Sequence, residues 1–464
     1  MSTNSQDVLG RIDREREGYL EELKDYLRIP SISTDPEYRS EVWRCAEFLV
    51  DKMQQAGLEA EMLETDGPGH PIVYAERIED PSKPTVLFYG HYDVQPADPI
   101  ELWRNPPFEP TVEGDHLVAR GATDDKGQSF AHLKAVAALI AERGSLPINV
   151  KFIVEGEEES GGETIEHFVR REGIAEKLDC DAVFISDSAM FSPGQPSLIY
   201  GLKGMVYLEL KVTGPNRDLH SGSFGGAVTN PVNALCRIID RLRDADTGRV
   251  LIPGFYDDVK PLEDWERKEF NSLPFDEGAY KEAIGISEVF GEEGYSTYER
   301  VWGRPTCDVN GIFGGYQKEG AKTIIPSWGG AKVSMRLVPD QDPDKIEQQV
   351  RDYVEKIKPA GVEVEVHPHH NAEPVLLETE GPIVEAALAA MEDEWKRPVR
   401  VREGGSIPIV STFSEVLEVP VLLIGFGLSD DRLHSPNEKF NISNFYGGVR
   451  AVARMLDRLG AIDG

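Results

Sequence analysis

At 464 residues with 40% apolar side chains, the chain is too long for one simple core and carries enough apolar surface for two domains or three. Acids outnumber bases 82 to 49, a formal charge of −33, which repels a phosphate backbone and sets nucleic-acid binding aside. No run approaches the roughly 18–20 uninterrupted apolar residues of a membrane helix, and the scattered Cys45, Cys180, Cys236 and Cys307 point to reduced thiols rather than a disulfide framework or a cysteine zinc site.

The polar stretch 1–16 holds no signal-peptide core, so the expected location is cytoplasmic. A metal site could use only a few of the acids. The excess belongs to the surface, either as a plain self-repelling coat or as adaptation to a salt-rich cytoplasm.

In chain order, residues 7–27 have helical spacing, with Leu20, Leu23 and Leu27 on one face. Ile29-Pro30 ends that helix. A second amphipathic helix, 39–56, stops at Gly57. Strands are expected at 59–63, 72–75 and 85–89. The last runs into Gly90-His91-Tyr92-Asp93-Val94-Gln95-Pro96. His91 and Asp93, two apart, share one face of an extended chain. The pair reads either as a packed, hydrogen-bonded couple or as an oriented metal ligand.

A proline-rich loop at 103–110 and a short strand at 117–120 lead to Gly121-Ala122-Thr123-Asp124-Asp125-Lys126-Gly127 and a helix over 129–142. A strand at 149–154 runs into Glu155-Gly156-Glu157-Glu158-Glu159-Ser160-Gly161-Gly162. Another at 182–185 ends in Ser186-Asp187-Ser188. Acids thus recur just after apolar strands, where α/β sheets collect their ligands.

Beyond residue 206 the texture becomes antiparallel α+β: strands at 206–213, 308–316, 331–337 and 362–366, helices at 230–242 and 344–358, and a long aromatic, charged segment at 252–305. The first pattern resumes with a helix at 383–395, a Gly404-Gly405-Ser406 loop, a strand at 419–424, Leu433-His434-Ser435-Pro436-Asn437-Glu438 and a closing helix at 445–459. The expected fold is α/β: a catalytic domain with a mixed sheet flanked by helices (1–206 and 379–464), plus an inserted α+β lid or dimerisation domain (207–378).

A two-metal hydrolytic centre needs about two histidines, a bridging carboxylate, terminal carboxylates and one free carboxylate as base. His91, Asp124, Glu159, Asp187 and His434 are the candidate ligands, and Glu158 remains as base. Adjacent Glu158 and Glu159 can both reach one site only if the strand ends there, which Ser160-Gly161-Gly162 permits. Taken singly, each acid could be a solvated turn, a helix cap or an ordinary strand end. Their order and context argue together. His116, His132, His167, His367, His369 and His370 read as structural or exposed.

Gly-His-Tyr-Asp-Val-Gln-Pro, Arg-Gly-Ala-Thr-Asp-Asp-Lys-Gly, Glu-Gly-x-Glu-Glu-Ser-Gly and the late His434 resemble the dinuclear-zinc peptidases and deacylases. The long segment 253–305 and Asp218-Leu219-His220-Ser221-Gly222 resemble the carnosine and cytosolic nonspecific dipeptidase branch. The resemblance implies that His91, Asp124 and Asp187 serve one metal and Asp124, Glu159 and His434 the other, with Asp124 bridging. It implies that Glu158 is base and later acid, that Asp93 orients His91, and that the Asp124–Asp125 peptide is cis. It gives His220 an oxyanion role in the partner subunit's site and Arg336 the substrate's C-terminal carboxylate, with Thr323 and Ser406 as substrate-contacting positions.

The activity so implied is hydrolysis of the amide bond of dipeptides or short peptides with a free C-terminal carboxylate, by a hydroxide bridging two divalent ions. Zinc suits the ligands, and manganese or cobalt could replace it. The alternatives are an N-acyl amino acid deacylase (acetyl or succinyl) on the same site, or a metal-binding scaffold without hydrolysis, against which an intact Glu158 argues. The implied partners are a small peptide substrate and a second copy of the chain, as a homodimer through the lid domain, with no nucleic acid and no membrane.

Overall fold

The computed structural model describes residues 3–65, 67, 69–405 and 407–462. The chain forms two compact units. The first comprises Met1–Tyr200, Leu377–Arg400 and Pro408–Gly464, and the second Gly201–Leu376 with Val401–Ile407.

The first unit is built on a mixed sheet. Its strands run in the order Glu59–Leu63, Ile72–Arg77, Asn149–Glu155, Thr85–His91, Ala182–Ile185, Val421–Leu423 and Ser197–Leu202. Thr85–His91 pairs in parallel with Asn149–Glu155 and with Ala182–Ile185, which pairs in parallel with Val421–Leu423. Ile72–Arg77 is antiparallel to both neighbours. The four parallel strands therefore finish along one edge of the sheet. They are buried on both faces, which is why they read as continuous apolar runs rather than alternating ones.

Successive residues of the central strand point to opposite faces and meet different helices. Phe88 packs on Phe152 and on His132 of helix Lys126–Arg143 at centroid distances of 5.0 and 4.9 Å. Tyr89 meets Phe413 of helix Pro408–Leu417 edge to face at 5.6 Å. Helices Thr3–Leu27 and Ile442–Leu459 pack against helix Lys126–Arg143, and Pro382–Glu394 packs against Ile442–Leu459. Helix Lys126–Arg143 is buried on nearly every side, so it lacks a polar stripe. It starts at Lys126, earlier than the sequence pattern suggested, with Asp125 in the N-cap position making no side-chain cap bond.

Among the elements that escaped the sequence reading are helices Glu163–Val169, Ile174–Leu178 and Pro408–Leu417, and strand Ser197–Leu202. The first two are too brief to show a helical period, and Ser197–Leu202 is wholly buried, so no alternation marks it. All four cysteines are free, and Cys236 alone is exposed. Among the described residues no helix is long and apolar enough to cross a membrane.

The second unit is a four-stranded antiparallel sheet in the order Thr306–Gly314, Trp328–Leu337, Gly204–Thr213, Glu363–Ala372. Gly204–Thr213 alternates strictly between buried and half-buried residues, the signature of a sheet with one covered face. Helices Pro231–Asp240 and Pro343–Ile357 cover it with Leu235, Ile238, Ile346 and Val350. Glu363–Ala372 runs through Pro368 by a bulge, which an edge strand tolerates.

The segment after residue 252 holds three helices, Asp264–Ser272, Glu277–Ile284 and Thr297–Gly303. Tyr298 stacks on Trp302 at 4.4 Å, and Phe270 meets Trp302 at 5.0 Å. The stretch Val401–Ile407, which the sequence reading grouped with 379–464, joins this unit because Arg402 pairs with buried Glu266 and the Lys203 amide donates to the Gly405 carbonyl at 3.1 Å.

Candidate metal centre

His91 is the last residue of its strand, and Asp187 follows the end of the neighbouring parallel strand. Asp124 lies in the turn before helix Lys126–Arg143 and is joined to Asp125 by a cis peptide bond of the kind the resemblance implied. Glu158 and Glu159 occupy a single turn of 3-10 helix directly beyond strand Asn149–Glu155. Gly161 and Gly162 complete that turn with φ of 122° and 68°, conformations that glycine adopts without penalty. The parallel register thus gathers the acids that the sequence left scattered.

Two groups of donor atoms result, each lying within 4.8 Å: His91, Asp124 and Asp187, and Asp124, Glu159 and His434. They share Asp124 and split its carboxylate. His91 Nε2 lies 3.1 Å from Asp124 Oδ1 and 3.7 Å from Asp187 Oδ2. His434 Nε2 lies 2.9 Å from Asp124 Oδ2 and 3.2 Å from Glu159 Oε2. One imidazole and two carboxylates per group suit zinc, and the absence of sulfur leaves manganese or cobalt admissible. No other such group exists among the described residues. His367 and His369 stand exposed beside Glu365 and Glu209 at 3.2 and 3.5 Å.

His91 Nδ1 faces only acceptors, the Asp93 carbonyl at 3.1 Å and the Asp93 carboxylate at 3.4 Å. Nδ1 therefore carries a proton, and Nε2 is the ring nitrogen that faces the carboxylates. The Asp93 carboxylate also accepts from Ser33 Oγ at 2.6 Å and from the Glu159 amide at 3.1 Å. The same aspartate thus holds His91 from one side and the Glu159 turn from the other. Gln128 ties a third piece down. Its Oε1 accepts from the Phe426 and Gly427 amides, and its Nε2 donates to the Thr123 carbonyl at 3.0 Å.

The electrostatics are those of carboxylates crowded in a buried space. Burial pushes the Glu158 carboxyl up to about 8, resisted by His91 and reinforced by Asp187, Glu159 and Asp124. Bonds to Asp124 and Glu159 lift the His434 imidazole to about 10. Burial works against the His91 cation, yet its bonds to Asp124 and Asp93 hold its pKa well above the usual histidine range. A site in which every histidine leans toward the cation is one whose acids are seeking positive charge.

The remaining sequence candidates belong to the second unit. His220 is exposed and caps the short helix Ser221–Phe224, its Nδ1 accepting from the Gly222 amide at 3.0 Å. It pairs with Ile324, and the Ser221 amide donates to the Thr323 carbonyl at 3.1 Å, so His220 and Thr323 sit on one small hairpin. Arg336 lies on Trp328–Leu337 opposite Thr306 and Met205, half-buried, and burial lowers its pKa. Ser406 lies outside the described residues. The sequence reading passed over Gln128 and Glu438. No residue pattern marked Glu438, because most of its partners are backbone amides.

The model of peptidase family M20/M25/M40 matches residues 87–458. The Cys-Gly metallodipeptidase DUG1 of Candida albicans is 34% identical over 98% of this chain and 97% of that protein. The human beta-Ala-His dipeptidase is 32% identical over 96% of this chain and 91% of its own length. The solved structure of the di-peptidase Dug1p from Saccharomyces cerevisiae superposes with a TM-score of 0.84 at 32% identity, covering 100% of both chains.

Proposed function

The chain belongs to peptidase family M20/M25/M40 and is a metal-dependent hydrolase, and from that premise we propose that it cleaves the amide bond of dipeptides or short peptides with a free C-terminal carboxylate. One observation carries the reading: each oxygen of Asp124 faces a different histidine, 3.1 Å from His91 and 2.9 Å from His434. A carboxylate placed so is built to be shared. The relatives described above are named as dipeptidases, which supports a two-residue substrate over an acylated amino acid.

His91, Asp124 and Asp187 would hold one divalent ion, and Asp124, Glu159 and His434 a second, with zinc fitting the donors. When bound, the ions supply an acidified water and Lewis-acid polarisation of the scissile carbonyl. Glu158 is the one carboxylate of its turn outside the donor groups. It takes the proton from the attacking water and delivers it to the leaving amine nitrogen. Asp93 keeps the proton of His91 on Nδ1.

Arg336 presents a planar fork to the substrate's C-terminal carboxylate, which limits the enzyme to short peptides. His220 of the partner subunit donates to the carbonyl oxygen as it gains charge, and Thr323 and Ser406 contact substrate. The active form is a cytoplasmic homodimer joined through the second unit.

The test is a zinc-loaded preparation incubated with a dipeptide panel and with acetyl- and succinyl-amino acids, reading released amine. Turnover of dipeptides is expected. Silence on dipeptides at full metal occupancy overturns the reading, and turnover confined to the acyl-amino acids replaces it with a deacylase.

A further inference from the structure

We propose that Glu438 is a positioning residue for the shared ligand Asp124, and the inference rests on the two-ion reading above. Glu438 is fully buried. Four donors converge on its carboxylate. Oε1 accepts from the amides of Thr123 at 3.0 Å and Asp124 at 3.2 Å. Oε2 accepts from the Gly121 amide at 3.0 Å and from Arg120 Nη1 at 2.6 Å.

Arg120 is buried as well and also donates from Nη2 to the Pro96 carbonyl at 3.0 Å. The ion pair is thus enclosed, and it bridges the loop before helix Lys126–Arg143 to the loop after His91. The Glu438 carbonyl adds a further bond, accepting from the Ala119 amide at 3.1 Å.

Burying a charged pair costs free energy that a well-packed apolar pair of the same volume would not. A space-filling role therefore does not account for a carboxylate here. What the carboxylate adds is direction. It orients three amides of one loop, and fixing the Asp124 amide fixes the bond along which the Asp124 carboxylate leaves the backbone. Thr123 is fastened a second time, its hydroxyl shared between Asp431 Oδ2 at 3.0 Å and the Lys439 carbonyl at 2.6 Å.

Glu438 also follows His434 in the same short segment. That segment therefore carries both a ligand of the second group and the clasp on the ligand common to both groups. Asp124 and His434 are held in register by one piece of chain, and a small displacement of that piece would change both groups together.

Two variants test this. Glu438→Gln keeps the volume but turns one acceptor into a donor facing amide N–H groups. Glu438→Asp keeps a negative charge for Arg120 and withdraws the carboxylate by one methylene. Each is compared with wild type for unfolding of the metal-free protein, for Zn2+ binding by calorimetry, for the visible spectrum of the Co2+-loaded protein, and for kinetics on the best-cleaved dipeptide. A folded Glu438→Asp protein is expected to bind both ions about 10- to 100-fold more weakly, with shifted cobalt bands. Its kcat falls while KM stays within roughly twofold. If Glu438→Gln does not fold, Glu438→Asp decides. Wild-type affinity for both ions and an unchanged cobalt spectrum in folded Glu438→Asp overturn the inference. Uptake of fewer than two ions by the wild type overturns the two-ion reading itself, a separate and distinguishable failure.

Discussion

His91 and His434 address opposite oxygens of one carboxylate, at 3.1 Å from Oδ1 and 2.9 Å from Oδ2 of Asp124. Neither histidine approaches the other's oxygen through a hydrogen bond, so the carboxylate is divided rather than doubly bonded by one ring. Removing Asp124 should therefore act on both groups of donors, whereas removing either histidine should act on one.

The metal content of three variants checks this. Asp124→Asn keeps one carbonyl oxygen but loses the charge and the second anionic acceptor, and it should retain less than one equivalent of zinc after dialysis. His91→Asn and His434→Asn should each retain close to one equivalent. Emission spectrometry of the dialysed proteins reads the outcome directly, and equal losses from all three variants would contradict the division.

Glu158 has a different dependence. It belongs to neither group of donors, so Glu158→Gln should bind two ions with wild-type affinity. Its kcat should drop by roughly 10²- to 10⁴-fold, the usual contribution of a positioned proton carrier, with little change in KM. Retained activity in a variant loaded with both ions would remove Glu158 from the proton path.

Among the ligand candidates, His91, Glu159 and Asp187 were legible because each ends or follows an apolar strand and Asp124 because it enters a helix, parallel pairing then bringing strand ends to one edge, whereas His434 stood out only through the motifs that carry the resemblance. What the sequence did not show was who supports them. Glu438 is held by Gly121, Thr123 and Asp124 through their backbone amides, and a backbone donor leaves no mark on residue identity. Gln128 is hidden for the same reason, since its partners are the Phe426 and Gly427 amides and the Thr123 carbonyl. The helices after residue 252 were obscured by charge. Their cohesion comes from aromatic contacts such as Phe270 on Trp302 and from Arg304 paired to Glu292 at 2.7 Å, which form between segments rather than along a periodic face.

His132 gives the fold an acid limit. It is enclosed by Phe88, Phe184 and Phe426, with Nε2 2.7 Å from Ser186 Oγ, which itself donates to the Ile424 carbonyl. Burial drives its pKa down to about 3 from 6.5. The folded state thus disfavours the protonated ring, and the unfolded state binds that proton first. Stability from this residue is complete above about pH 6.5 and declines as pH falls toward 3, at up to ~1.4 kcal/mol per pH unit. Urea unfolding of metal-free wild type and His132→Gln at pH 7.5, 6 and 5 should show the difference between them shifting against the wild type as pH falls. A constant difference would mean that the ring protonates in place without penalty.

The assignment of His220 to the partner's site can be decided by mixing two inactive proteins. His220→Ala lacks the oxyanion donor but keeps Glu158, and Glu158→Gln lacks the proton carrier but keeps His220. In a twofold dimer whose sites borrow His220 across the interface, a mixed dimer has one site with both defects and one with neither. Random exchange makes half of the dimers mixed, so the mixture should recover about a quarter of wild-type activity. If His220 served its own chain, every site in every dimer would carry one defect and mixing would restore nothing. The experiment needs only subunit exchange, verified by differently tagged chains that co-purify, and a dipeptide assay before and after mixing. Recovery that tracks the fraction of co-purified dimer places the exposed His220 hairpin, with Thr323 beside it, in the neighbour's chemistry.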